Sequence, residues 1–384
     1  SYILVSLINK NTFLYSPTLL KKVACSHKNQ SYILNSMLKT SNTFIKKATL
    51  QRVGNKLSQE LNHITTTEIP LAETEEELLK KFFLKSIKSS LDLMKFTHHI
   101  NLDYNTVYGD TSKYFENEIS FIEYSNSVLH HLYEKSNHPQ IKTGELFIIH
   151  FQEVKFQEIL VDAIGIFKIE NKIDFLKFNQ HNNELDFNIN KGVKLQKIDK
   201  GCLILQTDRS DGYRVFSIDN NSYDANYWKK SFLDIEEVMN DSYQTKHHLG
   251  MLSTFSNTMK DEKNTYVQKD FISQGIKLFN ENEIITKDLI EQELLSPFDV
   301  VDSYSKFKSQ YNKENNLDLE ENFNVSTSTL KKEKKKIKSQ INLDTKIQIK
   351  LDISEGDSLK ENIEKGFDEE RKMHFYKVFF NEEM

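Results

Sequence analysis

The segment LFIIHFQEVKFQEILVDAIGIFKIENKIDFLKF (146–178) decides the fold, because short runs rich in Ile, Phe and Val alternate in it with polar spacers. The spacers at 170–172 and, further along, at 209–212 have the length of hairpin turns rather than of helical crossovers. The sequence therefore predicts a largely antiparallel sheet. The predicted strands are LFIIHF (146–151), AIGIFKIE (163–170), IDFLKF (173–178), CLILQT (202–207) and YRVFSI (213–218).

Helical patterns flank these strands. The spacing of Thr74 and Glu77 is typical of a capping box, and a helix is predicted to follow it. A second helix is predicted near 116–134. After the strands, SYDANYWKKSFLDI (222–235) predicts a helix whose aromatic side chains pack on the sheet, namely Tyr223, Tyr227, Trp228 and Phe232.

The C-terminal part changes character twice. A helical tract is predicted over 242–316, interrupted at Pro297. The last segment is predicted to contain a half-buried strand at 347–353, a short helix from Asp357 to Gly366 and a closing strand at 374–380.

The predicted fold class is α+β: an antiparallel sheet with flanking helices, a helical connector and a small C-terminal α/β unit. Residues before Met37 show no sustained period and no acidic residue, so we expect them to be a non-native or disordered extension. The predicted segments are this extension (1–36), the sheet domain (37–235), an acidic helical region (236–325) and a basic C-terminal unit (326–384).

The composition excludes several classes of protein. Hydrophobic residues make up 38% of the 384 residues and charged residues 28%, which is typical of a folded chain rather than a disordered one. The two cysteines, Cys25 and Cys202, are too few for a disulfide framework or a four-thiolate zinc site, and they fit a reducing cytoplasm. No apolar stretch reaches the roughly 18 residues that suggest a membrane span.

Charge is unevenly distributed along the chain. The net charge is −5, yet residues 326–350 carry 8 lysines against Glu333 and Asp344, whereas residues 233–325 carry 9 lysines against 18 acidic residues. A chain with this pattern can present a basic surface to a polyanion while remaining acidic as a whole.

The basic residues of this segment are candidate contacts to DNA phosphates, since clustered lysines bind phosphates through counterion release without reading base sequence. A solvated linker is the alternative interpretation of the same run. Two arginines at a predicted hairpin could add contacts to DNA, or they could be ordinary surface residues without a role in binding. The candidates are Lys331, Lys332, Lys334, Lys335, Lys336, Lys338, Lys346, Lys350, Arg209 and Arg214.

Signals of catalysis are few. Glu153-Val154-Lys155, with Glu158 and Asp162 nearby, resembles the acid-x-lysine element of some metal-dependent nucleases, but so short a match is common by chance in a chain rich in Lys and Glu. The sequence contains no Gly-rich phosphate loop, no Gly-x-Ser-x-Gly elbow and no Cys-x-x-Cys pair. We therefore predict no enzymatic activity, catalytic residue, metal or cofactor.

Several stretches, in order along the chain, resemble the bacterial nucleoid-associated protein family called NdpA, in particular its Bacteroidetes branch. The resemblance covers about 45–384 and excludes residues 1–36. Its stretches are QRVGNK (51–56), HLYEKSNHPQIKTGEL (131–146), VDAIGIFKIE (161–170), GVKLQKIDKGCLIL (192–205), SIDNNSYDANYWKKSFL (217–233), KKIKSQINLDTKIQIKLD (335–352) and EKGFDEERKMHFYKVFFNEE (364–383).

The resemblance implies a cytoplasmic protein at the nucleoid that binds double-stranded DNA without a known enzymatic step, and it supplies no catalytic residues. A homodimer is compatible with this function, because two linked basic surfaces gain avidity. Two alternatives stay open: an adaptor that binds chromosome-processing proteins and reaches DNA indirectly, and a metal-dependent nuclease. No membrane partner is expected.

Overall fold

A computed structural model describes residues 38–88, 92–181, 184–220, 227–259, 265–337, 339–353 and 362–382. The predicted extension at 1–36, Tyr223, Lys338 and the predicted helix start at Asp357 lie outside these residues. No helix in the described ranges is long and apolar enough to cross a membrane.

An antiparallel sheet forms the centre of the N-terminal half, as predicted, and it confirms the α+β class. The strands of this half are β1 (Leu38–Lys39), β2 (Phe44–Val53), β3 (Leu93–Phe96), β4 (Gly144–Phe156), β5 (Ile159–Ile169), β6 (Ile173–His181), β7 (Glu184–Gly192), β8 (Lys200–Leu205), β9 (Arg214–Asp219) and β10 (Ile235–Glu237). Across the sheet the order is β4, β5, β8, β9, β3, β10, and both β1 and β2 pair with β4 at the outer edge.

Helix α1 (Glu73–Ile87) covers one face of the sheet. Its Phe83 stacks on Phe167 of β5, with ring centroids 4.3 Å apart. The predicted capping box at Thr74 is wrong by two residues, because the chain before Glu73 is extended and the Glu75 carboxylate accepts the Ala72 N–H at 3.0 Å. The helix therefore begins before Thr74 can act as its cap.

The other face is covered by α2 (Thr106–Phe115), α3 (Phe121–Lys135) and a helical turn at Tyr227–Phe232. Trp228 is fully buried there, and its indole N–H donates to the Gly201 carbonyl at 3.3 Å. This confirms that Trp228 packs on the sheet. Because neighbouring residues of a strand point to opposite faces, Ile148 and Ile149 of β4 enter different apolar clusters.

The hairpin of β6 and β7 differs from the prediction that IDFLKF (173–178) joins the main sheet. β5 pairs directly with β8, so no sheet edge remains for β6 between them. Instead β6 pairs with β7 from Ile173↔Gly192 to His181↔Glu184, and the two strands form a separate ribbon.

The C-terminal half combines three long helices with short helices and short strands. They are α4 (Asp241–Thr258), α5 (Thr265–Glu281), β11 (Ile284–Thr286), α6 (Lys287–Ile290), α7 (Val301–Asn315), β12 (Asn322–Asn324), α8 (Thr327–Glu333), β13 (Gln340–Asn342), β14 (Gln348–Lys350), β15 (Ile363–Asp368) and β16 (Met373–Val378). The predicted helical tract is thus interrupted at β11, which pairs with β12, as well as near Pro297. One apolar cluster joins Phe271 and Phe279 of α5 to Leu330, Ile353 and Ile363. The predicted domain boundaries stay predictions, and this core contains residues on both sides of 325.

Near the end of the chain, the prediction that Gly366 ends a helix is wrong. Gly366 lies in β15, opposite Phe375 of β16, and not at the end of a helix. A Cβ at position 366 would lie 2.7 Å from Phe375 Cε1, so the glycine leaves room for the ring of its cross-strand neighbour. The strands predicted at 347–353 and 374–380 are confirmed in their central parts by β14 and β16.

Candidate nucleic-acid interface

Helix α8 carries the first lysines of the basic segment. The Ser326 hydroxyl accepts the Thr329 N–H at 3.5 Å at the start of this helix. Thr329 and Leu330 are buried, and Leu330 belongs to the C-terminal core. Since successive helical residues point about 100° apart, burying Leu330 leaves the neighbouring Lys331 exposed.

The lysines of this run differ in their surroundings. Lys332 lies 3.7 Å from Asp92, and Lys336 donates to the Glu333 carboxylate at 2.6 Å. Lys334 is half-buried, whereas Lys331 and Lys335 are exposed. No carboxylate oxygen lies within 4 Å of the ammonium group of Lys331 or Lys335 in the described part of the chain. These two ammonium groups are therefore the most available to an external anion.

Lys346 and Lys350 belong to the hairpin of β13 and β14. Lys346 lies in its turn at a φ of 64°, and Lys350 pairs with Gln340 across the two strands. Both side chains are exposed. Ile341 of β13 is buried, so the hairpin is attached through its apolar side while these lysines remain in solvent.

An ion-pair cluster connects the basic segment to the sheet. Asp92, just before β3, lies 3.6 Å from Lys246 of α4 and 3.7 Å from Lys332 of α8. Glu237 of β10 accepts from Lys246 at 2.5 Å and lies 3.2 Å from His247 Nε2. Burial alone would raise the pKa of Glu237, but the hydrogen bonds with His247 and Lys246 outweigh it and lower the pKa to about 2. Glu237 is therefore ionised at neutral pH and fixes the position of α4 against the sheet.

The two candidate arginines are paired with carboxylates of their own chain. Arg209 forms a two-pronged pair with Glu116, which raises the pKa of the guanidinium. Arg214 lies 3.3 Å from Asp208 and 3.0 Å from Asp211. Their charges are thus largely offset, although their role in binding stays a prediction.

The acids of the nuclease-like element do not converge. Glu153 lies at a bulge of β4 with a φ of 56°, and Glu158 pairs with Lys155 at 2.9 Å. Asp162 lies 2.9 Å from His150 Nε2 and accepts from Gln152 at 2.9 Å. In the described ranges, no three His, Cys, Asp or Glu side chains come together as a metal site would require.

Sequence reasoning missed Asp92, which pairs with Lys332 of the basic segment, and Lys246, which joins α4 to Asp92 and Glu237. The residues lie far apart along the chain and belong to no motif, so no local pattern indicated the contact. The glycine and aromatic patterns of the sheet did not indicate the contact between Asp92 and the basic segment either.

Together the fold and the charge distribution define a two-part α+β protein with a basic segment at 326–350, in which Lys331, Lys335, Lys336, Lys346 and Lys350 are exposed. The family model described as nucleoid-associated protein YejK matches residues 50–373, and the chain belongs to this family. Membership confirms the predicted class and, with it, the location at the nucleoid; the Bacteroidetes branch stays a prediction. No curated protein matches the chain.

Proposed function

We propose that this protein binds double-stranded DNA directly and without enzymatic turnover, through contacts between lysines of its C-terminal unit and DNA phosphates. Its membership of a nucleoid-associated family supports a DNA partner. The observation that carries the proposal is the exposure of Lys331, Lys335, Lys346 and Lys350 in one basic segment.

The distribution of ion pairs supports these lysines over the other candidates. Lys332 and Lys336 lie near carboxylates of the same chain, so a phosphate would have to compete with Asp92 and Glu333 for them. Arg209 and Arg214 face the same competition. Lysine contacts to phosphate carry no base information, so the binding has little sequence specificity.

A salt series with purified protein and two unrelated DNA duplexes tests the proposal. The test variant is Lys331→Gln, Lys335→Gln and Lys350→Gln. The matched control replaces three exposed lysines of the acidic helical region, Lys277→Gln, Lys306→Gln and Lys313→Gln, and so changes the net charge equally.

We expect the slope of log K against log salt to become shallower by about 2 to 3 in the test variant, because each phosphate contact contributes about 0.9. The control should keep the wild-type slope on both duplexes. Equal changes in both variants would show a net-charge effect and contradict the assignment to the C-terminal unit. Absence of binding by the purified wild-type protein would favour the adaptor function instead.

A further inference from the structure

The ribbon of β6 and β7 has one apolar face. Side chains alternate between the two sides along each strand, and the cross-strand pairs bring most of the large apolar residues to one side. Leu176 pairs with Ile189, Phe178 with Phe187 and Gln180 with Leu185. The opposite side is polar towards the turn, where Lys177 pairs with Asn188 and Asn179 donates to Asp186 at 3.0 Å, whereas Ile173 and Phe175 lie on it at the base of the ribbon.

Within the part of the chain that the structure describes, this apolar face is exposed to solvent. The exposed fractions of its large side chains are 53% for Leu176, 71% for Phe178, 78% for Leu185, 59% for Phe187 and 67% for Ile189. A two-stranded hairpin is marginally stable in water by itself, and contiguous exposed apolar patches mark interaction sites. The apolar face of the ribbon is therefore typical of a surface that binds another molecule.

We propose that the partner is a second copy of this chain, with the two ribbons packed apolar face to apolar face around a two-fold axis parallel to their strands. In this arrangement β6 of one copy lies over β7 of the other. The aromatic pair Phe178 and Phe187 then packs on the same pair of the second copy.

The charges at the base of the ribbon fit this arrangement. Asp174 and Lys191 are cross-strand partners on the apolar side. The two-fold rotation places Asp174 of each copy over Lys191 of the other, so the face is complementary to itself. DNA fits this face poorly because the face is apolar and electrically balanced. An anionic lipid surface would also lack a lysine cluster to bind there.

The area that two paired ribbons would bury is also large enough for a specific protein interface. The exposed portions of five large side chains amount to on the order of 500–600 Å² on each copy. Pairing two ribbons would therefore bury about 1,000–1,200 Å², which is the lower end of specific protein interfaces. An interface of this size lies at the weak end of specific association. The inference does not depend on DNA binding, although two joined basic segments would bind DNA with greater avidity.

Sedimentation equilibrium of the full chain over about 1–100 µM tests the proposal, a range that spans micromolar affinity. The test variant is Phe178→Thr with Phe187→Thr, and its control is Lys177→Thr with Asn188→Thr at adjacent positions on the opposite side. Threonine favours strands, so both variants keep the ribbon. We expect self-association to weaken at least about 100-fold in the test variant, as for loss of central aromatic anchors, and to remain at the wild-type level in the control.

Two single charge variants identify the partner as a second copy. Asp174→Lys alone should weaken the dimer, because it places like charges against Lys191 of the other copy, and Lys191→Asp alone should weaken it in the same way. Mixing the two variants should restore association, since opposite charges then meet only between the copies. A wild-type protein that stays monomeric, a dimer that survives the threonine test variant, or the absence of rescue on mixing would each overturn the proposal.

Discussion

The hairpin of β4 and β5 and the ribbon of β6 and β7 follow each other in the chain and share the same antiparallel pairing, yet their apolar residues have opposite surroundings. Helices cover both faces of β4 and β5, and Phe167 is fully buried between them. In the ribbon, the corresponding aromatic residue Phe187 is 59% exposed. Strand pairing and apolar alternation therefore do not determine burial; the elements packed on the strands do.

The largest difference is expected between two phenylalanine truncations. Phe167→Ala should reduce the free energy of unfolding by about 3–5 kcal/mol, because it removes a ring that stacks on Phe83 and leaves a cavity. Phe187→Ala should reduce it by about 0.5 kcal/mol or less, because the side chain is mostly in solvent. Urea unfolding at a protein concentration below self-association measures both values. A large loss in Phe187→Ala would mean that the ribbon packs on the same chain.

A second comparison uses two glycines. Gly165→Ala in β5 should cost about 1–3 kcal/mol, because the added Cβ would meet the buried rings of Phe151 and Phe167, which have no room to move. Gly192→Ala in β7 would meet Phe175 Cε1 at 2.6 Å, but this ring is 44% exposed and can rotate away. We expect a cost of about 0.5 kcal/mol or less there. Equal costs in urea unfolding would contradict the contrast between the two hairpins.

The smallest effect is expected from removing the ribbon. Replacing residues 174–191 by Asn-Gly would connect Ile173 to Gly192, which already face each other, through a tight two-residue turn. The midpoint of thermal unfolding should stay within about 2 °C of wild type, since few packed contacts are lost. Circular dichroism at low protein concentration measures it. A substantially lower midpoint would show that the ribbon supports the sheet.

The sequence predicted the parts of the fold that local patterns encode. The strands around 146–151 and 163–170 and the packing of Trp228 were predicted from apolar runs and aromatic spacing. β2 was missed because its bulge between Ile45 and Lys47 interrupts the alternation that would have revealed a strand. Membership of the sheet could not be derived for β6 either, because pairing of β5 with β8 is a long-range choice.

The candidate site shows the same limit. The lysine run is visible in the sequence, but Asp92 lies 240 positions before Lys332, so their contact is visible only in the folded chain. The pairing of Arg209 with Glu116 is likewise invisible in the sequence. Local composition identifies where positive charge is concentrated, whereas three-dimensional pairing determines how much of it remains available to a phosphate.

The position of β3 has a consequence for synthesis on the ribosome. Leu93 pairs with Phe216 of β9, and β3 is joined on its other side by β10 at Ile235–Glu237. At about 5–20 residues per second, β3 must wait on the order of 10 s after its emergence for its neighbours to be made. During that interval its backbone donors and acceptors have no strand partners, so completion of the sheet is limited by translation as well as by the slow search for distant contacts.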